Sequence, residues 1–167
     1  MKQMRKLLMV VGFVAATAAG GASAQGYSDG FYLGGGFGNN SLSGFDDATG
    51  FQVFAGFPLA ASLGQASTAI EVGYMDSGDF DYCVPSFAGE LCGSTDAAGL
   101  WATGVADYAL GPQLSALGRL GLDFGDDDGL MFGVGLGYDV TTELEVRGEY
   151  VVRDNIDSLQ LNFVFRP

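Results

Sequence analysis

The sequence contains no histidine, and this absence limits the chemistry available to the chain. Without an imidazole, a histidine base, nucleophile or metal ligand is excluded. Basic side chains are scarce as well, since no lysine follows position 6 and only four arginines occur beyond it. The formal net charge is −13. Nucleic acid, whose binding needs clustered Lys and Arg, is therefore not an expected partner.

Cysteines and long apolar runs are also few. Cys83 and Cys92 are the only two cysteines, and without histidine they supply too few soft ligands for a metal site, so neither a metal nor a cofactor is expected. In an exported chain their default state is a disulfide closing a loop of about ten residues, with two free thiols as the alternative. Beyond residue 24 no stretch reaches about 18 consecutive apolar residues, which excludes a transmembrane helix there.

Glycine and apolar residues are abundant. The 167 residues, enough for a single domain, include 28 glycines, and 48% of them are apolar against 16% charged. Because each glycine inside a helix costs about 1 kcal/mol relative to alanine, this composition disfavours a helical domain. The many aromatic and aliphatic residues argue equally against a disordered chain.

The first 24 residues predict a secretory signal peptide. Lys2, Arg5 and Lys6 form a positive segment, residues 7–19 form an apolar one, and Ala22 and Ala24 fit a small-x-small cleavage site. A membrane-anchoring helix is the alternative interpretation. With cleavage after Ala24, residues 25–167 form one mature domain.

Eight later segments alternate between apolar residues and small or polar ones, which predicts β-strands. The seventh shows the pattern most clearly, with one apolar and one charged face. The apolar face carries Leu144, Val146, Tyr150 and Val152, and the charged face carries Glu143, Glu145, Arg147 and Glu149. The eight predicted strands span 31–39, 50–57, 67–75, 100–108, 114–124, 129–138, 143–152 and 158–165.

The alternation predicts an all-β fold, an eight-stranded antiparallel up-and-down transmembrane β-barrel. Opposite the apolar residues lie glycines and a few charges of both signs, unlike the surface of a soluble protein. Glycine leaves room for larger side chains inside a narrow barrel. Strands of about ten residues match a tilted bilayer span, and closure satisfies the backbone groups that lipid cannot. A small soluble barrel or sandwich is the alternative.

The connections between the strands differ in acidity. Alternate connections, at 40–49, 76–99, 125–128 and 153–157, contain 12 of the 20 acidic residues, and those between them contain only Asp139. Bacterial barrels have short periplasmic turns and longer outer loops, so the acidic set is expected outside the cell. There, beside lipid and lipopolysaccharide, the acids would attract divalent cations, and a merely solvated rim is the alternative.

Several segments together resemble the outer-membrane β-barrel proteins related to outer membrane protein A. The resemblance covers residues 27–165 and implies an eight-stranded barrel in the outer membrane of a Gram-negative bacterium, inserted by the barrel-assembly machinery. Longer family members continue into a periplasmic domain, and family chains usually finish near an aromatic residue, whereas this sequence ends Arg166-Pro167. The segments that carry the resemblance are 50–57, 69–74, 117–122, 133–138, 144–150 and 158–163.

Family members carry a buried cluster of paired charges in the barrel lumen. The matching positions here are Glu71, Arg119, Glu145 and Arg147, with Glu149 nearby. Inward charges in a narrow barrel are costly unless they are paired or hydrated. Two arginines against three glutamates predict pairing, with one acid left for water or a proton.

Two functions follow from this fold. The first is a non-enzymatic barrel with a structural or surface-interaction role, its lumen largely closed by paired charges. The alternative is a narrow porin-like channel for ions or small solutes, although eight strands usually leave no continuous aqueous path. Catalysis is not expected, because the acid–base machinery of outer-membrane barrel enzymes normally includes histidine.

Overall fold

A computed structural model describes residues 30–87 and 89–167. The predicted signal peptide, residues 1–24, lies outside the described residues. Among the described residues, none forms a helix long and apolar enough to cross a membrane. The strands are β1 (Tyr32–Leu42), β2 (Ala48–Leu63), β3 (Ala66–Asp76), β4 (Phe80–Ser86), β5 (Gly89–Thr95), β6 (Ala98–Ala109), β7 (Leu114–Gly125), β8 (Gly129–Asp139), β9 (Leu144–Val152) and β10 (Ile156–Phe165).

Eight of these strands close into a barrel, in the order β1-β10-β9-β8-β7-β6-β3-β2. Every neighbouring pair is antiparallel, including the closing pair, in which Leu33 lies opposite Phe165. The predicted eight-stranded barrel is therefore confirmed. Closure leaves the barrel without a free edge, so that the backbone donors and acceptors of each strand are paired with a neighbour.

The two ends of the barrel differ in their connections. At one end, which we call the turn end, strands are joined by residues 64–65, 110–113 and 140–143. The first residue of β1 and the last residue of β10 also lie at this end. At the other, the loop end, the connections are 43–47, 77–97, 126–128 and 153–155. This division matches the acidic and non-acidic sets of connections in the sequence.

The second strand is longer than the alternation predicts. β2 continues to Leu63, through the region 58–63 that was expected to be a turn, and its pairing with β3 shifts register between Leu59 and Ser62. Pro58 lies directly beside this register shift, and a bulge is one of the places where a strand tolerates a residue without a backbone donor. The hairpin then turns at Gly64, whose φ of 66° a residue with a side chain rarely adopts.

A disulfide-bonded hairpin at the loop end is absent from the sequence prediction. β4 and β5 pair with each other as a separate two-stranded sheet, within a stretch that was expected to be a loop. Cys83 and Cys92 lie directly opposite each other and form the predicted disulfide. Nearly every side chain of the hairpin beyond Phe80 is exposed, so that the one-sided burial that creates an alternating pattern does not occur here.

Side chains on the barrel wall alternate between lumen and exterior. Large apolar residues of every barrel strand face outward and are exposed, such as Phe37, Leu120 and Leu159. Inside, three aromatic rings each lie over a glycine on the neighbouring strand. The opposed pairs are Phe54–Gly34, Tyr32–Gly56 and Trp101–Gly73, and a Cβ added to any of these glycines would collide with the ring.

Candidate functional site: the charged lumen

Five ionised side chains meet in the middle of the lumen, and they are the five that the sequence singled out. Arg119 contacts Glu71 at 3.1 Å and Glu149 at 2.5 Å. Arg147 contacts Glu71 at 2.7 Å and Glu145 at 3.0 Å. All five residues are at most 3% exposed. Each carboxylate therefore faces a guanidinium at ion-pair distance, the arrangement that a buried charge requires.

A third arginine, Arg166, joins the cluster and connects it to a further acid, Asp139. Arg166 donates to Glu145 at 2.6 Å and to Asp139 at 2.9 Å. Glu145 thus lies between Arg147 and Arg166, and none of the three cluster glutamates is left without an arginine. The network then contains three arginines and four acids, so one more acid than arginine is present, as in the predicted cluster; Arg166 and Asp139 were not among its predicted members.

Strand register explains why these residues meet. Glu145, Arg147 and Glu149 alternate along β9, so all three side chains point into the lumen. Arg119 points inward from β7, and Glu71 points inward from β3 on the opposite side of the barrel. The ion pairs therefore cross the lumen and do not merely follow its wall. Glu143, expected on the same inward face, is exposed in the 140–143 turn.

Aromatic rings support both central arginines. The guanidinium of Arg119 lies 5.4 Å from the centre of the Trp101 ring, and that of Arg147 lies 5.3 Å from the Tyr32 ring. At these distances a ring face stabilises a cation. The Tyr32 hydroxyl also donates to Glu71 at 2.7 Å. Two of the rings that cover glycines therefore hold the charged cluster as well.

A layer of amides continues the network towards the loop end. Asn162 donates to Glu149 at 2.9 Å, and Gln52 donates to Asn162 at 2.8 Å and to Gln160 at 2.9 Å. Beyond these amides lies a small cavity lined in part by Asn40 and Gly50. The polar contacts are thus continuous from Arg166 at the turn end to Gln52 and Gln160 on the loop-end side of the charged cluster.

A separate ion pair lies at the loop end, away from the central cluster, and its residues were not among the predicted site residues. Arg153 Nε donates to Asp123 at 2.8 Å, and its Nη1 donates to Ser158 at 2.9 Å. Ser158 in turn donates to Asn40 at 2.6 Å. Burial lowers the pKa of Arg153 from its ordinary value, against the opposing attraction of Asp123. The sequence placed Arg153 in an outer loop, yet it is 3% exposed.

Some donors in the lumen lack a partner among the described residues. They include Nε and Nη1 of Arg119, Nε of Arg147, Nη2 of Arg153, the indole nitrogen of Trp101 and the hydroxyl of Thr103. Because an unpaired buried donor costs free energy, we expect water molecules to bind beside them. Isolated waters at this level would complete the polar lining.

Apolar contacts cover the loop end of the lumen. Phe80, Ala48 and Ile156 form a buried cluster, against which Leu42, Phe45 and Ala97 pack. Phe80 thereby fixes the root of the hairpin over the barrel mouth. Asp127, expected in a solvated turn, is also buried there, and its Oδ1 accepts from the backbone and side-chain nitrogens of Asn155.

Comparison with known proteins identifies the type of barrel. The profile of a protein family described as outer membrane protein beta-barrel domain matches residues 7–163. No curated protein matches the chain significantly.

Solved structures are similar in fold at low sequence identity. The outer membrane protein Ail of Yersinia pestis, in a phospholipid nanodisc, has a TM-score of 0.58 and 12% identity, over 84% of this chain and all of that one. A designed transmembrane β-barrel has a TM-score of 0.56 and 16% identity, over 86% and 100% of the two chains. Neisserial surface protein A has a TM-score of 0.50 and 15% identity, over 85% and 98%.

Proposed function

Since this chain belongs to the outer membrane protein β-barrel family, we propose that it is a non-enzymatic barrel whose closed lumen makes it a rigid support for surface loops. The protein resides in the outer membrane, where its exposed apolar wall contacts lipid. Its role is then structural or one of surface interaction. The barrel anchors the loop end, and the loops present a surface to other molecules.

The observation that carries this proposal is that every arginine in the described chain forms an ion pair in the lumen or at one of its ends. Arg119, Arg147, Arg153 and Arg166 all form ion pairs, and the first three are almost wholly buried. A mobile ion entering the lumen would have to displace these contacts. At ~4 Å and an effective dielectric constant of 20, one such contact is worth about 4 kcal/mol before desolvation.

We place the loop end outside the cell and the turn end in the periplasm. Short turns at the periplasmic side and longer connections at the outer side are the rule for bacterial barrels. Under this orientation the acidic connections face the medium and the lipopolysaccharide layer, where they would attract divalent cations.

The experiment is a conductance measurement on the purified barrel in planar bilayers. The wild-type protein is expected to give little or no conductance at any voltage the bilayer tolerates. Arg119→Ala removes one guanidinium from the buried charge cluster and leaves Glu149 without an arginine, so it is expected to admit water and favour cations. A large, steady wild-type conductance would contradict the proposal and favour the alternative, a narrow channel for ions or small solutes.

A further inference from the structure

The hairpin formed by β4 and β5 carries apolar side chains at its tip that no part of the described chain covers. Val84 and Leu91 lie directly opposite each other and are 46% and 67% exposed. Phe87 at the turn is fully exposed. Outward apolar residues of the barrel wall are explained by lipid, but the hairpin is rooted over the barrel mouth by Phe80 and forms a sheet of its own. Exposed apolar groups in such a position are typical of a binding surface.

The hairpin is held in place at its root and across its middle. The Phe45 and Tyr82 rings meet edge to face at 5.4 Å, and the backbone nitrogen of Asp46 donates to the Asp81 carbonyl at 3.1 Å. The disulfide joins the strands one position before the Val84–Leu91 pair. A surface fixed in this way loses little conformational freedom when a partner binds.

The charges around the hairpin are of one sign. Its strands and the adjoining connections carry six carboxylates, namely Asp46, Asp47, Asp79, Asp81, Glu90 and Asp96. No lysine occurs in the described chain, and all of its arginines are engaged in ion pairs within the barrel. An anionic partner would therefore meet repulsion here, and a cationic one would be attracted.

From this combination we infer that the hairpin tip, defined by Val84, Phe87 and Leu91, binds a polypeptide segment in which Lys or Arg alternates with apolar residues. The apolar side chains of the segment cover the tip, and its cations pair with the carboxylates at the root. The inference rests on the proposed function in one respect only, the placement of the loop end outside the cell.

The probe is a fluorescent nine-residue peptide that alternates Lys with Leu and is blocked at both ends. Its binding is measured by fluorescence anisotropy to the full chain in nanodiscs of zwitterionic phosphatidylcholine, with empty nanodiscs as the blank. Two control peptides replace Lys with Glu or Leu with Ser. We expect binding of the Lys/Leu peptide, and at least tenfold weaker binding of either control.

Four sets of variants locate the site. Val84→Ser/Phe87→Ser/Leu91→Ser is expected to weaken binding at least tenfold, and Asp46→Asn/Asp79→Asn several-fold. The matched pair Asp128→Asn/Asp154→Asn, exposed acids of other loops, is expected to change affinity less than twofold. Cys83→Ser/Cys92→Ser is expected to weaken binding a few-fold, because the tip is then free to move. Folding of each variant is checked by the gel shift between unboiled and boiled samples.

Four results would overturn the inference. They are unchanged affinity of the tip variant, equal losses in both acid-to-amide pairs, equal binding of the Glu peptide, and equal binding to empty nanodiscs. The second would reveal diffuse attraction to the whole loop end, and the fourth would make lipid the binding surface. None of these results depends on conductance, so failure of this inference and failure of the closed-barrel proposal are distinguishable.

Discussion

The two faces of β9 show how one strand is built for two different surroundings. Glu145, Arg147 and Glu149 point into the lumen and are at most 3% exposed, whereas Tyr150 on the other face is 46% exposed. In a soluble protein the charged residues would face out. Here the outer face meets hydrocarbon and needs no partner, while the inner face consists of groups that are stable only when paired. The outer face therefore depends on the membrane, and the inner face depends on the exact set of neighbours.

The largest effect is expected from breaking the inner pairing. Arg119→Met leaves Glu149 without its arginine in a buried site, which is expected to lower the free energy of unfolding by about 3–5 kcal/mol. Urea titration of the barrel in lipid vesicles measures it. Adding Glu149→Gln to the same chain is expected to recover part of the loss, because the unpaired charge is then removed.

Arg166→Met provides the matched control for that experiment. The Arg166 side chain is 39% exposed although it forms ion pairs. Arg166→Met is therefore expected to lower the free energy of unfolding by about 1 kcal/mol or less. Equal effects of Arg119→Met and Arg166→Met would contradict the distinction between the central cluster and its partly solvated end.

A smaller effect is expected from placing a charge on the outer face. Leu120 is 63% exposed near the middle of β7, and Leu120→Arg is expected to cost about 2–4 kcal/mol in a bilayer. Leu63, which is 70% exposed but lies at the turn end, is the control, and Leu63→Arg is expected to cost about 0–1 kcal/mol. The same urea titration compares them. Identical costs would mean that depth in the membrane does not govern the outer face.

The smallest effect concerns the glycines under the aromatic rings. An added methyl at Gly73 would meet both the Trp101 ring and the carbonyl of Val53, so Gly73→Ala is expected to cost about 1–3 kcal/mol. Gly148, on the outer face, has open space beside it, and Gly148→Ala is expected to change stability by less than about 1 kcal/mol. A neutral Gly73→Ala would show that the ring and the strand move apart easily.

The barrel could be predicted from the sequence because each barrel strand has one face towards lipid and one towards the lumen. Apolar residues therefore recur at every second position. That period gave the eight barrel strands and the inward side of Glu71, Arg119, Glu145, Arg147 and Glu149. The alternation does not identify β4 and β5, because both faces of that hairpin are exposed and neither face has to be apolar. It also failed at the end of β2, which continues to Leu63 although the predicted strand ends at Phe57.

Two arginines of the lumen were missed, although the same period contains a signal for them. Arg153 follows Val151 by two positions, and Arg166 follows Val164 by two, so each continues the inward series of its strand. Both arginines lie just beyond the last residue of their strand. There the alternation of apolar residues has ended and no longer shows which side chains point into the lumen. Their partners, Asp123 and Asp139, come from other strands and could not be assigned without the three-dimensional register.

The most direct test of the central claim, a lumen filled by paired charges, is the access of water-borne reagents to its wall. Thr103 is 2% exposed within the lumen, and Ser62 is exposed at the turn end. The measurement is the rate at which a small charged methanethiosulfonate reagent modifies Thr103→Cys and Ser62→Cys variants in folded barrels. If paired charges fill the lumen, Ser62→Cys reacts rapidly, Thr103→Cys reacts hardly at all, and Thr103→Cys reacts faster when Arg119→Ala is added. Equal rates for the two single variants would contradict this claim.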